Sequence, residues 1–229
     1  MRTRRLDTAS RTYFVLADLD PLEREAARDL AFEDLDGEMA KAFPRDAPDI
    51  DGAYDNFRRC ANALLRQTAG LDPVPWEDAL VTFLELVRDR DVRWWLAGSA
   101  ALAVRGLAVS PRDIDVIVDG QGARALGELL APHVVEPVVH NDGWIAEWWG
   151  RAFPGARLEW VGDVRPVVDE PEPVDYGPVA AARLDHVTWR GHVIRLPPLR
   201  LQLAVTRRRG LADRVRLIEA ALGTRSGEG

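Results

Sequence analysis

The stretch from Val92 to Asp119 constrains the fold more than any other part of the chain. Val92–Ala97 is a short apolar run that reads as a buried strand, and Gly98-Ser99 follows it at once. Ser99–Leu107 is small and apolar, suited to a helix packed tightly on a sheet. Ile114–Val118 is a second apolar strand, bounded by Asp119-Gly120. Backbone amides at such a strand-to-helix turn can approach a phosphate. Asp113 and Asp115 are two apart on the second strand, so their carboxylates leave the same face. Side by side they repel and raise each other's pKa unless a cation lies between them. Hard oxygen ligands at that spacing suit Mg²⁺ held together with substrate phosphates. A solvated pair on an edge strand would show the same Asp-x-Asp, so the motif alone is unspecific. Joined to Gly98-Ser99 at this spacing, it becomes far more specific.

Around this stretch the pattern predicts a mixed α/β (α+β) chain. Thr12–Leu19, Pro21–Met39 and Asp55–Thr68 carry apolar residues at three-to-four spacing and are expected to be helices. Phe43–Asp51 reads as a loop, and Pro75 opens a further helix. Downstream, Gln121–Ala131 is helical, Val134–Val139 a strand, Trp144–Phe153 a short helix and Arg157–Val161 a strand. Leu184–Trp189 and His192–Leu196 flank Arg190-Gly191 as a hairpin. Val164–Pro178 is a loop, and helices over Leu199–Arg208 and Leu211–Leu222 close the chain. The expected organisation is a helical region over 1–90, a core over 91–197 and a helical cap over 198–229. Trp144, Trp148 and Trp149 sit at helical spacing, as core packing or as a wall onto which an acceptor ring stacks.

Composition removes several function classes. The 229 residues carry a net charge of −7, so global charge does not mark a nucleic-acid binder. Lys41 is the only lysine and has no upstream glycine series, which excludes a P-loop; any phosphate clamp must use arginine. One cysteine, Cys60, rules out an internal disulfide framework or a cysteine-rich zinc site. The four histidines lack metal spacing, and no Gly-x-Ser-x-Gly elbow occurs. Gly120-Gln-Gly122 follows a strand as in a dinucleotide fingerprint. That strand carries Asp113 and Asp115, which a fully buried parallel strand would not tolerate. No membrane span or secretory signal is read, and a cytoplasmic setting is the expectation.

The strand, Gly98-Ser99, helix and Asp113-x-Asp115 series resembles the nucleotidyltransferase superfamily of polymerase-beta-like fold. Its closest likeness is to the small bacterial antibiotic nucleotidyltransferases and to abortive-infection and toxin-type nucleotidyltransferases. The resemblance extends more weakly through Leu199–Leu203, Arg207–Arg209, Gly210 and Asp213, and leaves the first ninety residues uncovered. It implies a mixed sheet and metal-dependent transfer of an NMP from an NTP to an acceptor hydroxyl, with release of pyrophosphate. Asp113 and Asp115 would hold two Mg²⁺ ions (Mn²⁺ being the alternative), and Gly98 and Ser99 the β and γ phosphates. The family expects a third carboxylate on a later strand. Glu159 is best placed, with Asp163 or no third acid as alternatives. If Glu159 fills the role, as ligand or as general base, its carboxylate must face Asp113 and Asp115 across adjacent strands.

The chain departs from the family pattern in two places. Relatives often carry Arg-x-Thr before the acid pair, where this chain has Val109-Ser110-Pro111-Arg112. Arg112 is the candidate phosphate contact there. A lysine often found in the penultimate helix is absent, which leaves Arg207, Arg208 or Arg209, with Arg208 the nucleotide-binding candidate. The partners implied are an NTP and an acceptor that is a small molecule, a tRNA end or a protein side chain. The second reading is a catalytically silent relative acting as a binding or regulatory module. The intact Gly-Ser and Asp-x-Asp set weighs against it.

Overall fold

The structure is a computed structural model that describes residues 1–141 and 144–226. The chain opens on a sheet. Strands β1 (Arg2–Asp7) and β2 (Arg11–Ala17) form a hairpin, helix α1 spans Pro21–Asp29, and β3 (Glu33–Leu35) and β4 (Glu38–Pro44) complete an antiparallel sheet of order β1-β2-β4-β3. Thr12–Leu19 is therefore not a helix, and the predicted helix Pro21–Met39 stops at Asp29. Two signals outweigh the helical spacing. Thr12-Tyr13-Phe14-Val15-Leu16 is a β-branched and aromatic run that fits a half-buried pleat. Asp36-Gly37, both at positive φ (51° and 85°), makes the tight turn between β3 and β4. Helix α1 is fixed by a capping box: the Glu23 amide donates to Asp20, and the Asp20 amide to the Glu23 carboxylate.

Helices α2 (Ile50–Thr68) and α3 (Trp76–Val87) follow, α2 taking in the end of the predicted loop 43–51. Ala53, Phe57, Ala61, Leu64 and Leu65 form the buried face of α2. Phe57 stacks between Phe14 and Phe32, joining α2 to the first sheet. Asn56 Nδ2 donates to the carbonyls of Ala131 (2.8 Å) and Val134 (2.9 Å), tying the same helix to the rest of the molecule.

The second half is built on β5 (Trp94–Ala97), α4 (Gly98–Val104), β6 (Ile114–Val118), α5 (Gly120–Leu129), β7 (Val134–His140), β8 (Ala146–Ala152) and β9 (Leu158–Val164). The sheet order is β5-β6-β9-β8-β7, with β6–β9 parallel and the other pairs antiparallel. The short helix α6 (Pro178–Ala181), the hairpin β10 (Asp185–Trp189) and β11 (His192–Leu196), and helices α7 (Leu199–Arg208) and α8 (Ala212–Ser226) end the described chain. The hairpin turns on Arg190-Gly191 as the sequence predicts. The predicted helix at Trp144–Phe153 is instead β8. Trp148 and Trp149 thus point to opposite faces rather than lying on one. One face of the central sheet (Leu96, Ile114, Val116, Val118, Leu158, Trp160) joins the main core with α2, α3 and α5. At about 1.5–3 kcal/mol per buried large side chain, this face anchors the sheet. The other face carries charge.

Candidate active site

The charged face is organised by register. Ala97 lies opposite Asp115, Asp115 opposite Glu159, Glu159 opposite Arg151, and Arg151 opposite Glu136. One row therefore crosses all five strands. Asp113 stands just before β6. One carboxylate oxygen from each of Asp113, Asp115 and Glu159 falls within 4.8 Å of the others. The structure brings together the three acids singled out in the sequence, Glu159 across adjacent strands from Asp115. Asp163 is elsewhere: its carboxylate accepts the Gly120 amide at 2.8 Å and, with the Asp119 cap on Gly122, fixes the start of α5.

The three carboxylates differ in their partners. Asp113 is paired with Arg157. Glu159 accepts from Arg151 Nε at 2.7 Å, Arg151 Nη2 is an ion-pair contact at 2.6 Å, and Arg157 Nε stands 3.8 Å away. Burial alone would raise its pKa, but Arg151 and then Arg157 outweigh burial and hold the carboxyl below its usual range. Asp115 has no direct cation partner among the described residues. Burial, then repulsion from Asp113 and Glu159, pushes its pKa well up, although the residue keeps some solvent contact.

Beyond Glu159 the row continues as a buried ion chain. Arg151 pairs with Glu136, and Lys41 Nζ of β4 lies 2.5 Å from Glu136 Oε2, an ion pair without well-directed hydrogen-bond geometry. Lys41 and Arg151 also both donate to the Leu30 carbonyl that ends α1, at 2.9 and 3.3 Å. Burial lowers the Lys41 pKa, with Glu136 partly offsetting it.

Gly98 is at φ +62°, the left-handed region, and a Cβ there would collide with Asp115 Oδ2. Glycine is required twice over, by backbone and by close approach. Sequence reasoning missed Asp175, on the segment read only as a loop. It is buried beside the Gly98 turn, where hydrogen bonding from the Gly98 backbone and the Gln202 side chain favours its charged form, and Gln202 Nε2 donates to the Gly98 carbonyl at 3.1 Å. Burial pushes the Asp175 pKa up to about 6 against those hydrogen bonds. Arg151 and Arg157 were missed as well, because only strand pairing brings them to the acids.

A cavity of about 430 Å³ lies over these groups. Gly98, Asp115 and Glu159 are at its floor, and Arg208, Arg209 and Arg214 of the C-terminal helices on its wall. Ser99 is buried and does not line it; Arg112 is exposed and stands outside it. Arg208 donates to the Glu172 carbonyl at 3.1 Å. Hard oxygen donors converging beneath a ring of arginines form a surface suited to a divalent cation and a polyphosphate.

Residues 79–145, which span α3 to β7 and contain Gly98, Ser99, Asp113 and Asp115, match the family model described as aminoglycoside-2″-adenylyltransferase. That match spans 67 of the 229 residues. No curated protein matches the chain. Among solved structures, a Thermotoga maritima protein with a provisional nucleotidyltransferase assignment is 21% identical, over 63% of this chain and 91% of its own, with a TM-score of 0.48. The lincosamide adenylyltransferase LnuA, bound to lincomycin, is 18% identical over 58% and 86%, with a TM-score of 0.41. ANT(2″)-Ia, in complex with adenylyl-2″-tobramycin, is 15% identical over 66% and 92%, with a TM-score of 0.45. The N-terminal antiparallel sheet lies outside the matched residues. Among the described residues no helix is long and apolar enough to cross a membrane.

Proposed function

We propose that the chain transfers a nucleotidyl group, with ATP as donor, to an acceptor hydroxyl. The observation that carries this reading is the convergence of Asp113, Asp115 and Glu159 within 4.8 Å, with Asp115 and Glu159 lining an arginine-walled cavity. The acceptor oxygen forms a bond to the α-phosphorus, the bond from that phosphorus to the bridging oxygen breaks, pyrophosphate leaves, and the hydroxyl proton passes to solvent. The donor set fits Mg²⁺, since three carboxylates offer only hard oxygens; two ions are proposed, with Mn²⁺ as a substitute. When bound, the metal supplies Lewis-acid polarisation of the phosphoryl oxygens.

The chain's own residues divide the remaining work. Asp115, which has no direct cation partner among the described residues, would hold the metal. Asp113, paired with Arg157 in the structure, would be a second ligand. Glu159, held ionised by Arg151, is a fixed negative charge and ligand; a carboxylate kept below its usual range is a weak general base at neutral pH. Arg208, Arg209 and Arg214 line the cavity that would take the triphosphate and would balance the charge of the departing pyrophosphate. Gly98 shapes the floor of the site by its close approach to Asp115, and phosphate recognition is assigned to the arginines of the wall.

Calorimetry with each of the four NTPs and Mg²⁺ tests the reading. Binding of ATP by the wild type, lost in Asp115→Asn, supports it. Failure of every NTP to bind would leave the silent-module alternative.

A further inference from the structure

A second cavity, of about 770 Å³, opens on the other side of Glu159. It lies between β4 of the N-terminal sheet and β7–β8 of the central one, and it meets the nucleotide cavity at Glu159, Trp144 and Trp149. A molecule seated there would have one end against the carboxylate floor, beside the α-phosphate of the proposed donor. This is where an acceptor hydroxyl must come from if the first cavity holds the nucleotide. The inference therefore rests on the proposed transfer and adds the acceptor's chemistry to it.

The lining decides that chemistry. Arg11, Lys41 and Arg151 supply three positive charges. Among the described lining residues the only carboxylate is Glu159, already held by two nitrogens of Arg151. Lys41 and Arg151 are in turn shared with Glu136 behind the wall. Counting Glu136 with the lining leaves one positive charge over, and Arg11 is the exposed cation that carries it to the mouth. A polyamine acceptor would bring several ammonium groups against Arg11, Lys41 and Arg151 with no free carboxylate among the described lining residues to receive them. Each such like-charge approach is unfavourable. The apolar part of the wall is aromatic. Trp149 carries Lys41 and Arg151 over its ring, at 4.4 and 4.8 Å to the centroid, so it is occupied. Trp144, 41% exposed at the junction of the two cavities, is the open ring onto which a ligand ring can stack.

We infer that this cavity is the acceptor subsite, and that it takes a small ring-bearing hydroxyl compound with an anionic substituent, carboxylate or phosphate, rather than a polycation. Arg11 holds the anion, Trp144 the ring, and the hydroxyl reaches the floor beside Glu159.

Calorimetry on the full chain saturated with Mg²⁺ and α,β-methylene-ATP tests this with four probes: phenyl phosphate, phenylacetate, benzylamine and tobramycin. The first titration, of the nucleotide itself, reports separately on the proposed donor site. The probe titrations are repeated without nucleotide, so a failure of one reading is distinguishable from a failure of the other. The expected result is that at least one anion binds, that benzylamine and tobramycin bind at least tenfold more weakly, and that Arg11→Gln weakens the anion about fivefold, the scale of one exposed charge-assisted contact. Tighter phenyl phosphate marks a phosphate-bearing acceptor, and tighter phenylacetate a carboxylate. Equal or tighter binding of either amine, no binding of either anion, or an unchanged affinity in Arg11→Gln overturns the inference.

Discussion

Asp115 and Glu159 stand opposite each other on neighbouring strands, at one level of one sheet face, yet their surroundings are reversed. Glu159 begins an alternating chain with Arg151, Glu136 and Lys41 in which every charge has an opposite neighbour. Asp115 faces Ala97 on its other side and has like charges nearby. The paired half of the row is built to hold its shape, whereas the unpaired half is electrostatically unfinished. A carboxylate left without a cation in a folded interior is costly, and such sites concentrate where a ligand completes them.

Asp115→Asn bears most directly on that contrast. Removing the unfinished charge should cut nucleotidyl transfer by about 1000-fold or more, the scale of losing a principal electrostatic group at a reacting phosphate. Rates of pyrophosphate release from ATP check it, once an acceptor is in hand. Retention of a tenth of the activity would remove Asp115 from the centre of the site. Arg151→Met attacks the finished half. It leaves Glu136 with Lys41 alone and Glu159 with Arg157 alone, and breaking a buried ion network by deleting one partner should cost about 3–5 kcal/mol of stability. Denaturant unfolding measures it. A cost below about 1 kcal/mol would show that the row is no more than a solvated surface pairing.

The three acids and Gly98 were legible in the sequence, whereas the cations that pair with Glu159 and Glu136 were not. Gly98, Asp113 and Asp115 lie within one local stretch, where period and spacing suffice to place them on a turn and a strand face. Glu159 could be proposed because an isolated acid among Leu158 and Trp160 marks a strand position facing away from the core. Arg151 could not, because β8 was read as a helix. The Trp-x-x-x-Trp-Trp spacing mimics helical period, and the outward face of β8 (Glu147, Trp149, Arg151) mixes charge with aromatic surface instead of alternating cleanly. Lys41 depends on the N-terminal sheet, whose Thr12–Leu16 run and Asp36-Gly37 turn were the available but competing signals. Asp175 sits in irregular chain, where no periodicity says which side chains turn inward.

Asp175 sharpens the comparison by pH. Its folded pKa of about 6 lies above the ordinary carboxylate value of 3.8, so the folded state binds the proton more tightly. The resulting stabilisation is complete below about pH 4 and is lost as pH rises toward 6, a change of about 2–3 kcal/mol. Asp175→Asn should lack this component. The stability difference between variant and wild type should therefore drift in the variant's favour from pH 4 to 6 and stay level above. A difference that does not change with pH would mean that Asp175 titrates normally. The smallest effect expected is the stability of metal-free Asp115→Asn. Relieving the repulsion should leave it unchanged or raise it by no more than about 1 kcal/mol, while abolishing the thermal shift given by Mg²⁺-ATP. A drop of several degrees with the ligand shift retained would recast Asp115 as scaffolding.

Lys41 closes the row on the side of the N-terminal sheet, and it is the only lysine in the chain. A lysine-directed acylating reagent therefore has a single side-chain target. In the folded state that amine lies against Glu136 and the Leu30 carbonyl, with 14% of its side chain exposed. The rate at which it is acylated under native conditions becomes a clock for the parting of the two sheets. Because the second cavity lies between those sheets, any compound filling it should slow that clock, giving a readout of occupancy that needs neither turnover nor a labelled ligand.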